Sequence, residues 1–168
     1  MRHALTRPQG FRWVVLVAGL SAAQVGCQPA KANPEDLQAK FVAAALSPAG
    51  AERDRALAKI LPDGKIEEWT GTLDTVARNS TGRFHVAIEV AEGVRLSTLI
   101  QGGGGTLIGK NDPLYDTLDG LQRGRRVRFS AELAKKPDGG FVVLDYATGG
   151  AIGRGAYLFR LTAIAPLS

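Results

Sequence analysis

Gly104, Gly109 and Lys110 set out the Gly-x-x-x-x-Gly-Lys spacing of a phosphate-binding loop. In such a loop backbone N–H groups cradle phosphates, the lysine reaches the outer ones, and a following Ser or Thr hydroxyl meets magnesium. Here Asn111 stands where that hydroxyl is needed. Val142, Val143 and Leu144 before Asp145 imitate the apolar strand that ends in a magnesium-holding acid, yet the parallel βαβ setting such chemistry needs is missing. The segment therefore reads as a glycine-rich loop, Gly102 to Gly105, whose value is backbone freedom.

Few other parts suit catalysis. His85 is the only histidine beyond His3, and its alternation with Phe84 and Val86 puts it on the outer face of a strand, as a solvated or a binding-face residue. With no second imidazole and no thiolate cluster, no transition-metal set is expected and no cofactor is assigned. Asp112, Asp116 and Asp119 share a helix edge but lack the calcium-loop pattern, and read as a cap and a solvated face. No Gly-x-Ser-x-Gly elbow occurs, so a hydrolase is the reading with least support. The chain is read as non-enzymatic, with no catalytic residue.

Binding chemistry has more to work with. Arg123, Arg125, Arg126 and Arg128 cluster at the start of one strand, and alternation places Arg126 and Arg128 on the same outward face. They suit a solvated strand that discourages edge pairing, or an anion-binding patch. Single-strand nucleic-acid binding would add exposed aromatic platforms. Trp69 and Phe129 belong with the core, however, and Phe141 and Tyr146 fall on opposite strand faces. The candidate binding residues are Arg126, Arg128 and His85.

Residues 1–27 read as an export address. Arg2, Arg7 and Arg12 precede an uncharged run from Trp13 to Val25, the positive and apolar regions of a secretory signal. As a helix that run would span about 20 Å, short of a bilayer core of about 30 Å. It ends in Val25, Gly26, Cys27, which resembles a bacterial lipobox with Gln24 in place of the usual Leu. Cleavage and diacylation at Cys27 would tie the chain to a membrane on the periplasmic side of the cell envelope; a plain cut after Ser21, Ala22, Ala23 is the competing reading. Cys27 is the only cysteine, so no intrachain disulfide can form, and acylation would protect a thiol in an oxidising compartment.

The chain's net charge of +5 owes much to this leader: taking Arg2, Arg7 and Arg12 from 21 basic residues leaves 18 against 16 acidic ones, or +2. That balance gives no strong general field for nucleic acid.

The elements follow from pattern. Residues 28–33 form a tether, and residues 34–63 a helical segment in two parts. Pro34, Glu35 and Asp36 open the first, with Leu37, Phe41 and Ala45 on one face, and the second runs from Ala51 to Ile60. Residues 64–168 read as one β domain. Trp69, Gly71 and Leu73 share a face of a long first strand that the glycine lets bend. Phe84, Val86, Ile88 and Val90 alternate in a second, joined through Glu92 and Gly93 to a third at Val94, Leu96 and Thr98. Asp112 and Pro113 open a short helix carrying Leu114, Leu118 and Leu121. Val127, Phe129, Ala131 and Leu133 alternate in a fourth strand, and a Pro137 to Gly140 turn leads to a fifth, Phe141 to Tyr146. Strand, strand, strand, helix, strand, strand is the order of the five-stranded oligonucleotide/oligosaccharide-binding (OB) barrel. Ala156 to Ile164 would add an extra C-terminal strand alongside.

Trp69-x-Gly71, PLYDTLDGL at 113–121, GRRVRFSAEL at 124–133 and YLFRLTAIAPL at 157–167 resemble small exported bacterial proteins and lipoproteins with a tRNA-anticodon-like OB domain. The resemblance covers roughly the last 100 residues and implies the barrel; its turn and core positions carry no activity. The expectation is a mainly β, OB-fold-like envelope domain, held at the membrane through Cys27, that binds or supports another envelope protein. Binding of nucleic acid or oligosaccharide through the Arg126 and Arg128 face is the alternative.

Overall fold

The computed structural model describes residues 33–98, 106–144 and 156–168. Asn33 caps the first helix, α1 (Pro34–Ala45), its side chain accepting the Glu35 N–H, and α2 (Ala51–Ile60) follows. Then come β1 (Lys65–Arg78), β2 (Phe84–Ala91), β3 (Val94–Ser97), the short α3 (Tyr115–Asp119), β4 (Arg126–Leu133), β5 (Val143–Leu144) and β6 (Ala156–Pro166). The strands β1, β2, β3, β6 and β4 close into a five-stranded ring. The closure is a parallel contact, Leu96↔Tyr157 and Ser97↔Leu158, while the other ring pairs are antiparallel. This is an OB-fold-like barrel with one strand outside the ring and a few helices.

The last two strand segments exchange the roles the sequence suggests. The closing strand is β6, the segment expected to lie alongside, and the extra strand is the two-residue β5, which pairs only with Ala156 and Tyr157. A closing strand must bond on both edges and fill the interior along its length. Tyr157, Phe159, Leu161 and Ile164 do so from β6, all buried, whereas Phe141 is the one buried side chain from 141 to 144. Residues 145 and 146 of the expected fifth strand lie outside the described residues.

The interior is filled from every ring strand. Ile66, Trp69, Leu73, Val86, Ile88, Leu96, Val127, Phe129, Phe159 and Leu161 are all at most 4% exposed. On β1 the inward residues Ile66 and Trp69 are three apart, not two. A bulge absorbs the odd residue: Glu68 takes φ 55°, and its N–H donates to the Ser130 hydroxyl at 3.1 Å. A second register shift between Leu73 and Thr75 turns the strand again. Gly71 lies between these bends, against β2; a Cβ there would stand 2.5 Å from Ile88 Cγ2 and 2.8 Å from the Glu89 carbonyl oxygen. The glycine thus serves the close approach of β2, while the bends the sequence assigned to it fall at Glu68 and after Leu73.

Each barrel end has a helix. Where β4 finishes and β6 begins, Phe41 of α1 is fully buried against Trp69 and Tyr157, with ring centroids 5.2 and 5.3 Å away. Gln38, one turn earlier, does the work of a strand. β1–β2 pairing stops at Thr72↔Glu89, and there Gln38 Oε1 accepts the Thr70 N–H at 3.1 Å while its Nε2 donates to the Thr70 carbonyl at 2.7 Å. At the other end, after β3, α3 buries Leu118 completely and stacks Tyr115 edge-on against Phe84 at 5.0 Å. Asp112 acts one turn ahead of the α-helical segment, its Oδ1 accepting the Leu114 N–H at 2.9 Å.

Gly71→Ala is expected to lose about 1–3 kcal/mol through overpacking against β2. A urea midpoint unchanged from the parent would show that β2 moves aside freely.

Candidate functional site

Because directly opposed residues share a face in an antiparallel pair, the register defines the outer surface around β4. Arg126 opposes Thr72, Arg128 opposes both Thr70 and Ala165, and Ser130 opposes Ala163. Arg126 and Arg128 are exposed, as alternation implies, among small side chains. Neither guanidinium has an ion-pair partner among the described residues.

Other arginines of the molecule have acidic partners. Arg160 reaches Glu132 at 2.5 Å, and Asp74 holds Arg95 at 3.3 Å and Arg123 at 3.4 Å. Arg78 pairs with Asp119 and lies over the Phe84 and Tyr115 rings, 5.0 and 5.3 Å from their centroids. Of the arginine cluster read from sequence, Arg123 shares the Asp74 carboxylate with Arg95, while Arg125, Arg126 and Arg128 have no ion-pair partner among the described residues. A pair of exposed cations among Thr, Ser and Ala side chains can accept a flat, acidic surface without steric hindrance.

His85 does not join them. It lies on β2 opposite Ala77, with β1 between it and β4. It faces outward, but it is half-buried. Ser97 Oγ donates to the Thr98 carbonyl at 3.0 Å and shares a hydrogen bond with His85 Nε2 at 3.1 Å. Ser97 is 1% exposed, so this contact clamps β2 to β3 and offers no accessible nucleophile. Burial lowers the His85 pKa below its ordinary value, against the Thr98 carbonyl and the Asp74 charge, which pull it upward.

The remaining sequence candidates separate as well. Gly109, Lys110 and Asn111 form a turn, with the Asp112 N–H bonded to the Gly109 carbonyl at 2.9 Å, following a bridge between Ile108 and Phe84. This is an antiparallel setting, and Gly104 and Asp145 lie outside the described residues, as does Cys27. No group of three or more His, Cys, Asp or Glu gathers as a metal site among the described residues. All eight aromatic rings among those residues are buried; Tyr146 lies outside them. The feature that sequence reading missed is Gln38, which no motif marks because its partner is backbone.

A lowered histidine pKa means that the unfolded chain takes up a proton at higher pH than the folded one. The His85 contribution is therefore complete above the unfolded value of about 6.5 and is lost as pH falls below it. Urea denaturation of the parent and His85→Gln at about pH 7.5 and about pH 5 should show a smaller acid loss in the variant. Equal losses would remove His85 as the source.

No family model matches the chain, and comparison with curated proteins finds no similar sequence.

Proposed function

We propose that this protein is a non-enzymatic OB-fold binding or adaptor domain of the bacterial cell envelope, tied to a membrane by lipid at Cys27 and docking on another envelope protein. The observation that carries the docking is the Arg126 and Arg128 pair, without an ion-pair partner among the described residues and standing among small side chains on β4, while Arg78 and Arg160 pair with Asp119 and Glu132 and Arg95 and Arg123 share Asp74. A protein presenting carboxylates would pair with both guanidinium groups. The burial of every described aromatic ring supports this partner class, because sequence-tolerant nucleic-acid binding draws much of its energy from stacking on exposed rings. The envelope location rests on the basic leader, its uncharged run and the lipobox-like Val25-Gly26-Cys27.

Affinity capture of the full-length exported protein from membranes, beside an Arg126→Ala/Arg128→Ala variant, tests the docking. A specific protein partner recovered with the parent and lost with the variant is the expected result. Nucleic acid or glycan recovered instead, lost with the variant and released steeply by salt, would replace this reading with the alternative.

Cys27→Ser should abolish fatty-acid labelling and release the protein from the membrane fraction. Labelling that persists in the variant would move the acyl site elsewhere, and membrane retention without labelling would end the lipid-anchor reading.

A further inference from the structure

At the barrel end where β1 turns into β2, two loops enclose an open recess of about 540 Å³. That volume falls within the few hundred to about 1,000 Å³ of small-molecule sites. The first loop is held by Asn79: its Oδ1 accepts the Thr81 and Arg83 N–H groups at 3.0 and 2.9 Å and the Thr81 hydroxyl at 2.8 Å. Gly82 takes φ 74° within it. The second loop is tied to the first by reciprocal bonds between Phe84 and Ile108 at 2.8 and 3.2 Å, and its turn is closed by the Asp112 N–H to Gly109 carbonyl bond. Each wall is therefore held by hydrogen bonds of its own, and the Phe84–Ile108 pair joins the two.

The chemistry of the walls is uneven. Arg83 and Lys110, one from each loop, are exposed, line the recess and have no ion-pair partner among the described residues. Asp112 is the one acid lining it, with Oδ1 already accepting the Leu114 N–H. Asn111 adds an amide, and Thr81 a hydroxyl oxygen that can accept, its proton being given to Asn79. Two cations against one partly used carboxylate favour an anionic group of low charge, and the neutral polar groups with Asp112 suit hydroxyls. Phe84 and Tyr115, the nearest rings in sequence, are 4% and 8% exposed, so the recess offers no plate for stacking a nucleobase.

We propose that this recess binds a small polyhydroxylated anion, a sugar bearing one phosphate or carboxylate. The charged group sits between Arg83 and Lys110, and the hydroxyls meet Thr81, Asn111 and Asp112. This goes beyond the docking reading and uses other residues, so the failure of either leaves the other standing.

Amide NMR titration of the full chain with glucose 6-phosphate, glucuronate, inorganic phosphate and glucose tests it. Saturable shifts at Thr81 to Arg83 and Gly109 to Asp112 are expected with at least one of the two acidic sugars; which one saturates at lower concentration distinguishes phosphate from carboxylate. Inorganic phosphate should bind more weakly, and glucose should leave these amides unmoved. Arg83→Gln/Lys110→Gln should weaken binding at least about tenfold while the rest of its spectrum overlays the parent's. Shifts that never saturate with either sugar, glucose binding as well as the acidic sugars, inorganic phosphate binding as tightly as them, or undiminished binding in the variant would each overturn the proposal.

Discussion

A five-stranded ring is narrow, so its interior must be filled by side chains from all five strands in one consistent phase, and most of the architecture follows from keeping that phase. β1 meets the demand with the most distortion. Ile66 and Trp69 do not fit a period of two, and the backbone absorbs the odd residue at Glu68; the register shifts once more after Leu73. Gly71 permits the close approach of β2 between the two bends. What the strands cannot fill, the helices do. Phe41 enters at one end and Leu118 at the other, and burying a side chain of that size contributes about 1.5–3 kcal/mol.

Where local pattern suffices, the fold is readable from sequence. The alternation from Phe84 to Val90 and from Val127 to Leu133, the Glu92-Gly93 turn and the face shared by Leu114, Leu118 and Leu121 all depend on neighbours in the chain, and the structure places them as expected. Which segment closes the ring depends instead on long-range pairing. Both 141–146 and 156–164 look like strands, but only register with β3 and β4 on opposite edges distinguishes them. Gln38 is invisible for a related reason: its role is defined by two backbone atoms of Thr70, more than thirty residues away.

The same division governs the surface. Alternation tells which arginines point outward, and it is right for Arg126 and Arg128. It cannot tell which charges are already balanced. Asp74 reaches one arginine on β3 and another ahead of β4, and Glu132 reaches across to β6. Such exposed pairs contribute little to stability, typically below about 1 kcal/mol. Their effect here is to concentrate the uncompensated charge of β4 at two positions. His85 shows the converse: its outward direction is legible, whereas its burial and its bond to Ser97 come from β3 lying against β2.

The parallel seam between β3 and β6 joins Leu96 to Tyr157 and Ser97 to Leu158, residues far apart along the chain. A ribosome delivers the β1–β2–β3 meander well before the strand that completes the ring. Until β6 arrives, the free edge of β3 has unpaired backbone groups, the form of surface that invites pairing with another chain. Non-local contacts of this kind also slow folding, because loop-closure entropy must be overcome before the new pairings can offset it. Pairing of β6 with β3 and β4 closes both of these edges at once, so the one strand that completes the ring also removes its open pairing surfaces.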